Sequence, residues 1–363
     1  MLAVSLALLS LVAATPAASG STAEQLRAVC RARAADPRNA WALAHGITLE
    51  GKAFKARDGR LAADVIISDF LRRDAAPAGK GLYFEPFTAS GTPVEPHPAL
   101  QVKTLLLAGV PLSRGFKAAW GPVTLKALVE ELQRDFRADL APSAQGAWAL
   151  DALSQVLKPG ATFRNGAGET VRFDAVMDEA LATLEREHAD LAAGMKAGLP
   201  LVPKRKQGVY AHPCGGLHFF QAVAGWARHP AVRKAWGGRM DAQVEVLIYR
   251  LSSEARQYEA ALVEAPEHRL ALLSQSLKFY GHFLETLGRY QRETGWAPTP
   301  SQRQAVTRAH QLLEATVRRL GEAGAFQNLE ELARRQPQLY LDLVGDACHA
   351  AHGLADWTGA HKP

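Results

Sequence analysis

Cysteine is scarce: the 363-residue chain has three, at 30, 214 and 348. A disulfide-stapled scaffold needs more, so an apolar core must hold the chain together. In an oxidising compartment one pair can bridge. Cys214 with Cys348 is the expected pair, with Cys30 the spare thiol. The sequence also lacks a phosphate-binding loop, a Rossmann glycine pattern, a Gly-x-Ser-x-Gly elbow and a His-Glu-x-x-His helix, so none of those chemistries is signalled. Alternating strand patterns are nearly absent, which makes the class all-α. The net charge of +6 is spread along the chain, and the basic runs stop at Lys204-Arg205-Lys206 and Arg334-Arg335. A nucleic-acid groove needs a concentrated basic stripe, so no such partner is expected.

What is present begins with an almost wholly apolar run, Met1 to Val12, followed by small residues to Gly20. It lacks a preceding Lys or Arg, yet otherwise reads as a secretory signal cleaved between Ala14 and Gly20. The expectation is a signal peptide over 1–20 and a single domain over 21–363. The location is then extracytoplasmic, periplasmic or secreted. No later segment approaches the length that spans a bilayer, so stable membrane insertion after signal removal is not expected.

One regularity suggests the architecture. Six short helical segments are unusually apolar, and most carry a polar residue in their middle. They are 41–50 with His45, 98–108 with Gln101, 148–156 with Asp151, 214–226 with His218, 277–287 with His282, and 347–357 with His349 and His352. More amphipathic segments lie between them, at 126–136, 174–196, 240–258 and 304–320. A helix apolar all round is buried, and a striped one lies outside. Six alternating pairs are the sequence form of an α/α toroid of about six helical hairpins. Ala40-Trp41-Ala42-Leu43 returns as Ala147-Trp148-Ala149-Leu150, and Cys214-x-x-x-His218 as Cys348-x-x-x-His352. Both are echoes of an internal repeat. Short hairpins are expected near 115–123 and around Asn165-Gly166. The stretch 75–98, rich in Pro and Gly, is expected to be irregular, and loops of that length are often functional.

The motifs Trp41-Ala-Leu-Ala-His45-Gly46, Cys214-Gly215-Gly216-Leu217-His218 and His349-Ala-Ala-His352-Gly353-Leu354 resemble an uncharacterised family of secreted helical proteins from planctomycetes and myxobacteria. The resemblance runs from about Trp41 to Trp357. It implies a fold similar to the terpenoid-cyclase and lanthionine-cyclase toroids. It implies no activity.

In a toroid the inner helices converge on a central cavity. Polar groups buried there unpaired cost about 1–3 kcal/mol each, so they pair or bind something. The candidate ligand-binding residues are His45, Asp151, Cys214, His218, His282 and His352. The candidate catalytic residues are His218, His45, Asp151 and Tyr210. Three functions compete. The first is a binding protein that holds a small molecule or a protein partner in a His/Cys-lined cavity. The second is a zinc enzyme. Cys214 and His218 lie one helical turn apart, and so do Cys348 and His352, which suits tetrahedral thiolate and imidazole ligation. The lanthionine-cyclase resemblance implies a ligand set of Cys214, Cys348 and His349. The third is a polysaccharide lyase or another carbohydrate-active enzyme, with Tyr210, Tyr280 or His218 as proton carriers. A glycosidase needs two carboxylates facing one bond; only Asp151 is well placed, since Glu50 and Glu285 sit at helix ends. His188, His229, His268 and His310 are expected at the surface, and Trp226, Trp236 and Trp357 in the core.

Overall fold

The computed structural model describes residues 21–74, 81–205, 207–211, 214 and 216–358. The expected signal peptide lies outside the described residues, as do His212 and the segment 75–80 of the expected irregular stretch. The described residues are mainly helical, with three small two-stranded antiparallel sheets. In chain order the first elements are α1 (Thr22–Ala34), α2 (Ala40–Glu50), α3 (Ala62–Val65), β1 (Leu71–Arg73), β2 (Leu82–Phe84) and α4 (Leu100–Leu107). Then come β3 (Gly115–Ala118), β4 (Gly121–Thr124), α5 (Leu125–Asp135), α6 (Ala147–Val156), β5 (Thr162–Arg164) and β6 (Thr170–Arg172). The remainder is α7 (Phe173–Glu187), α8 (Ala189–Lys196), α9 (Leu217–Trp226), α10 (Pro230–Glu264), α11 (Arg269–Thr294), α12 (Pro300–Glu322), α13 (Leu329–Arg335) and α14 (Pro337–Thr358). No described helix is long and apolar enough to cross a membrane.

The helices that read as apolar all round are the ones that meet. α2 packs on α4, α4 on α6, α6 on α9, α9 on α11, α11 on α14, and α14 back on α2. This circuit returns to its start. All ten residues of α9 are buried, as a helix surrounded by others requires. The striped helices flank it: α1 lies on α2 and α14, α5 on α4 and α6, α7 on α9, α10 and α12 on α11, and α13 on α14. α5 shows the stripe plainly, with Leu125, Leu128 and Val129 inward and Thr124 capping its first turn.

A disulfide ties the end of the circuit to the first flanking helix. Cys30 of α1 is bonded to Cys348 of α14 across 318 residues of sequence. This corrects the expected Cys214–Cys348 pair. The first flanking helix packs against the last inner one, so the closing cysteine comes from α1. α11 and α14 approach closely because glycine and alanine line their contact. A Cβ at Gly353 would lie 2.7 Å from Glu285 N and 2.8 Å from Gly281 O. Only a residue without a side chain admits this backbone spacing.

The expected hairpins are present at β3–β4 and β5–β6. α3 is short and gives way to a π-turn at Ile66–Phe70 and then β1, which pairs with β2. The expected helix over 174–196 is broken at His188 into α7 and α8. His188 itself is buried, with Nδ1 2.6 Å from Gln243 Oε1, and not at the surface. The break turns its ring inward against α10. Trp226 and Trp236 are core residues as expected, and Trp357 is half-buried against the core.

Candidate functional site

A cavity of about 970 Å³ is lined by residues from all six helices of the circuit. α2 supplies Trp41 and His45, α4 supplies Lys103, and α6 supplies Trp148 and Gln155. α9 supplies His218 and Gln221, with Cys214 just before its start; α11 supplies Lys278, His282, Glu285 and Arg289; α14 supplies Asp346, His349 and His352. Phe87 and Leu107, both exposed, lie at its rim.

Glu285 is the hub. Its Oε1 lies 3.0 Å from Nδ1 of His349 and 3.0 Å from Nδ1 of His352. Its Oε2 lies 3.1 Å from Nδ1 of His282 and accepts from Gln221 Nε2 at 3.2 Å. The spacing His282-x-x-Glu285 on α11 puts both side chains on one face, and His349-x-x-His352 does the same on α14. The close α11–α14 crossing then brings the two faces together. Burial would raise the Glu285 carboxyl, but the His349, His282 and His352 rings around it hold it well below the ordinary range.

Cys214, His218 and His282 form the second part of the cluster. The sulfur and one nitrogen of each ring all lie within 4.8 Å of one another. Gly216 makes this possible: its φ of +77° turns the chain from Cys214 directly into α9. His218 Nδ1 faces Gln221 Oε1 at 3.3 Å and Lys103 Nζ at 3.5 Å. His282 Nδ1 is engaged by Glu285. Burial lowers His218 to about 3, helped by Lys103 and opposed by Cys214. Burial also opposes protonation of His282, yet the Cys214 sulfur and Glu285 outweigh it and raise the ring to about 10. The His282 ring centroid is 4.1 Å from that of His349 and 4.7 Å from that of His218. His45 completes the group, its Nδ1 2.7 Å from Trp41 O and its ring 5.0 Å from His349. Burial, with His349 close by, lowers it well below the ordinary histidine value. Beside the cluster, Asp346 is buried with Oδ2 lacking a hydrogen-bond partner and 3.9 Å from Lys278 Nζ, and burial raises it well above the ordinary carboxyl range despite that lysine.

Of the sequence candidates, His45, Cys214, His218, His282, His349 and His352 converge on this cavity. Cys348 does not, because its sulfur is bonded to Cys30; the ligand set Cys214, Cys348 and His349 is therefore corrected. Asp151 is fully buried behind the wall, clamped by Arg289. Gln101 points away, its Nε2 donating to Val94 O at 2.6 Å; Lys103, two residues on, is the α4 residue that faces the cavity. Tyr210 packs elsewhere, 4.8 Å beneath the Arg250 guanidinium, and Tyr280 lies among Tyr258 and Phe279 in the core. Glu285, Lys278 and Asp346 were not expected as site residues. The available signal for Glu285 was its three-residue spacing from His282 on a buried helix.

No protein-family model, no curated protein and no solved structure matches this chain.

Proposed function

We propose that the chain is a zinc-dependent enzyme acting on a small molecule held in the central cavity. One observation carries this reading: a cysteine sulfur and two imidazole nitrogens lie within 4.8 Å of one another on the cavity wall. Three protein ligands of this kind, with a fourth position open, characterise catalytic zinc sites; structural sites are closed by four. The carboxylate behind His282 supports it too, since ligating histidines are oriented by just such a partner on their other nitrogen. Cys214, His218 and His282 would hold the metal, which supplies Lewis-acid activation of a bound group. Glu285 fixes the ring of His282, and Lys103 with Lys278 adds positive charge to the wall.

The cyclic packing order of the six buried helices supports an α/α toroid as the frame. The Cys30–Cys348 bond supports export, since disulfides persist in oxidising compartments.

The test is zinc binding by equilibrium dialysis against a chelator. Wild type is expected to hold zinc with one site that needs sulfur. Cys214→Ser is expected to lose affinity by more than the ~10–100-fold that loss of an outer partner costs. Unchanged zinc binding in Cys214→Ser would end this reading. A second reading, a thiol nucleophile, rests on the order Cys214, His282, Glu285, which is that of a sulfur, its base and the group orienting the base. Activity that survives metal removal but is abolished by alkylation of Cys214 would favour it.

A further inference from the structure

We propose that the cavity takes a neutral amphiphile, with a compact oxygen-bearing head at the Cys214, His218 and His282 centre and an aliphatic tail laid along α2, α4 and the loop over 85–99. The head group rests on the metal reading; the tail wall consists of other residues and is tested separately.

The lining of the cavity is divided in two. Among the described lining residues of α9, α11 and α14, Leu341 is the single apolar side chain. Every other one is a histidine, an amide, a lysine, an arginine or a carboxylate. The half of the circuit that begins with α2 and α4 is mainly apolar. It offers Ile47, Leu49, Leu100 and Leu107 from the helices, with Phe87 and Pro96 from the loop. The sequence explains this. α2 and α4 are apolar nearly all round, so they present the same kind of side chain to the core and to the cavity.

Two of these residues sit where packing alone would not put them. Phe87 is 53% exposed and Leu107 39% exposed, and both border the cavity. Large apolar side chains left open beside a cleft mark a binding groove. Ligand cavities of this size combine apolar lining with a few polar groups that fix orientation. Here the polar groups lie on one side, so a ligand that matches them is itself two-sided. His218 and His282 of the metal centre belong to the polar half, on α9 and α11. A head bound there leaves the rest of the molecule to α2 and α4 across the same space. The lysines do not call for an anion. Lys103 lies 3.4 Å from Asp151 Oδ2, and Lys278 lies 3.0 Å from Asp342 Oδ1. Each already has its counter-charge, so an uncharged head fits.

Calorimetric titration of the zinc-loaded full chain with straight-chain hydroxamates, from acetohydroxamate to octanohydroxamate, tests the proposal. The hydroxamate supplies a neutral head with oxygen donors, and chain length is the variable. Each added methylene is expected to tighten binding about 4-fold, which is the burial of one methylene at about 0.8 kcal/mol, with one molecule bound per chain. The double variant Phe87→Ser with Leu107→Asn changes exposed positions, and circular dichroism and zinc content confirm that it is folded. It is expected to lose the gain for the longest members while binding acetohydroxamate as wild type does. Affinity independent of length, with acetohydroxamate still requiring zinc, would overturn the tail wall and leave the metal reading standing. Equal affinity with and without zinc, still rising with length, would support the tail wall and end the metal reading of the head. A length dependence unchanged in the double variant, or no binding by any member, would overturn the proposal.

Discussion

Glu285 and Arg289 stand one helical turn apart on α11, and each organises a buried polar cluster. They do so in opposite ways. Arg289 donates from both terminal nitrogens to Asp151, at 2.7 and 2.6 Å, and from Nε to Glu293 at 2.7 Å. Lys103 reaches the same Asp151 at 3.4 Å and Gln155 donates to it at 3.3 Å. Both oxygens of Asp151 are thus taken by cations and an amide. Burial would raise this carboxyl, but Arg289 and Lys103 lower it to about 2. Around Glu285 the balance is reversed. Three histidines share one carboxylate, and a sulfur adds a further soft donor beside them. Buried polarity that closes on itself holds helices together. Buried polarity with donor atoms to spare is where a ligand belongs. α6, α4 and α11 are tied by the first kind, and the proposed chemistry sits on the second.

The comparison breaks most forcefully at Arg289. Arg289→Met leaves buried Asp151 with Lys103 as its remaining counter-charge, and removal of one partner from a buried pair costs about 3–5 kcal/mol. Chemical denaturation is expected to show a loss of that size, with metal content unchanged in the folded fraction. The paired replacement Asp151→Leu with Arg289→Met is expected to recover only part of the loss, since it also takes a counter-charge from Lys103 and from Glu293. A fall in metal content equal to the Cys214→Ser effect would mean the two clusters are not separable.

Glu285→Gln sharpens the other side. It keeps the volume and one acceptor but removes the charge that orients His282. Zinc affinity at the Cys214 centre is expected to fall by about 10–100-fold, with a smaller effect on stability than Arg289→Met. An unchanged affinity would show that the carboxylate does not support the metal site.

A further effect is on pH dependence and uses a histidine outside both clusters. Burial depresses His188 to about 3, with Arg250 adding to it, and Gln243 opposes. The unfolded chain takes up the proton near the ordinary histidine value of about 6.5, while the native state resists. Stability is therefore expected to drain as pH falls from about 6.5 toward 3, at up to about 1.4 kcal/mol per pH unit for this one group. His188→Gln removes that share, and a flatter stability curve between pH 6 and 4 would verify it. Asp151 acts lower down: its folded pKa is depressed, so its contribution is full above about pH 4 and lost from there to about 2.

Much of the frame was legible because inner helices have a visible signature, apolar on every side with a lone polar interruption. Trp41–His45 and His218 were readable in this way, and so were the two hairpins with short turns. What escaped depended on partners distant in sequence. Nothing in the pattern of α1, an ordinary striped helix, says that it meets α14, so the Cys30–Cys348 bond was missed. Glu285 was placed at the end of a short apolar segment, whereas α11 runs on to Thr294 and buries it in mid-helix. Gln101 is the polar residue expected in the 98–108 segment, whereas Lys103 is the one that faces the cavity. Here Lys103 reaches Asp151 and is stabilised by it, while Gln101 turns to the backbone of Val94. Tyr210 belongs to the same stretch as Cys214 but lies before the Gly216 turn, which sends it to the Arg250 side.

The most direct measurement is anomalous diffraction at the zinc absorption edge from crystals grown with zinc. A peak is expected, bounded by Cys214 Sγ and ring nitrogens of His218 and His282. A fully resolved cavity with no peak among these three residues would contradict it.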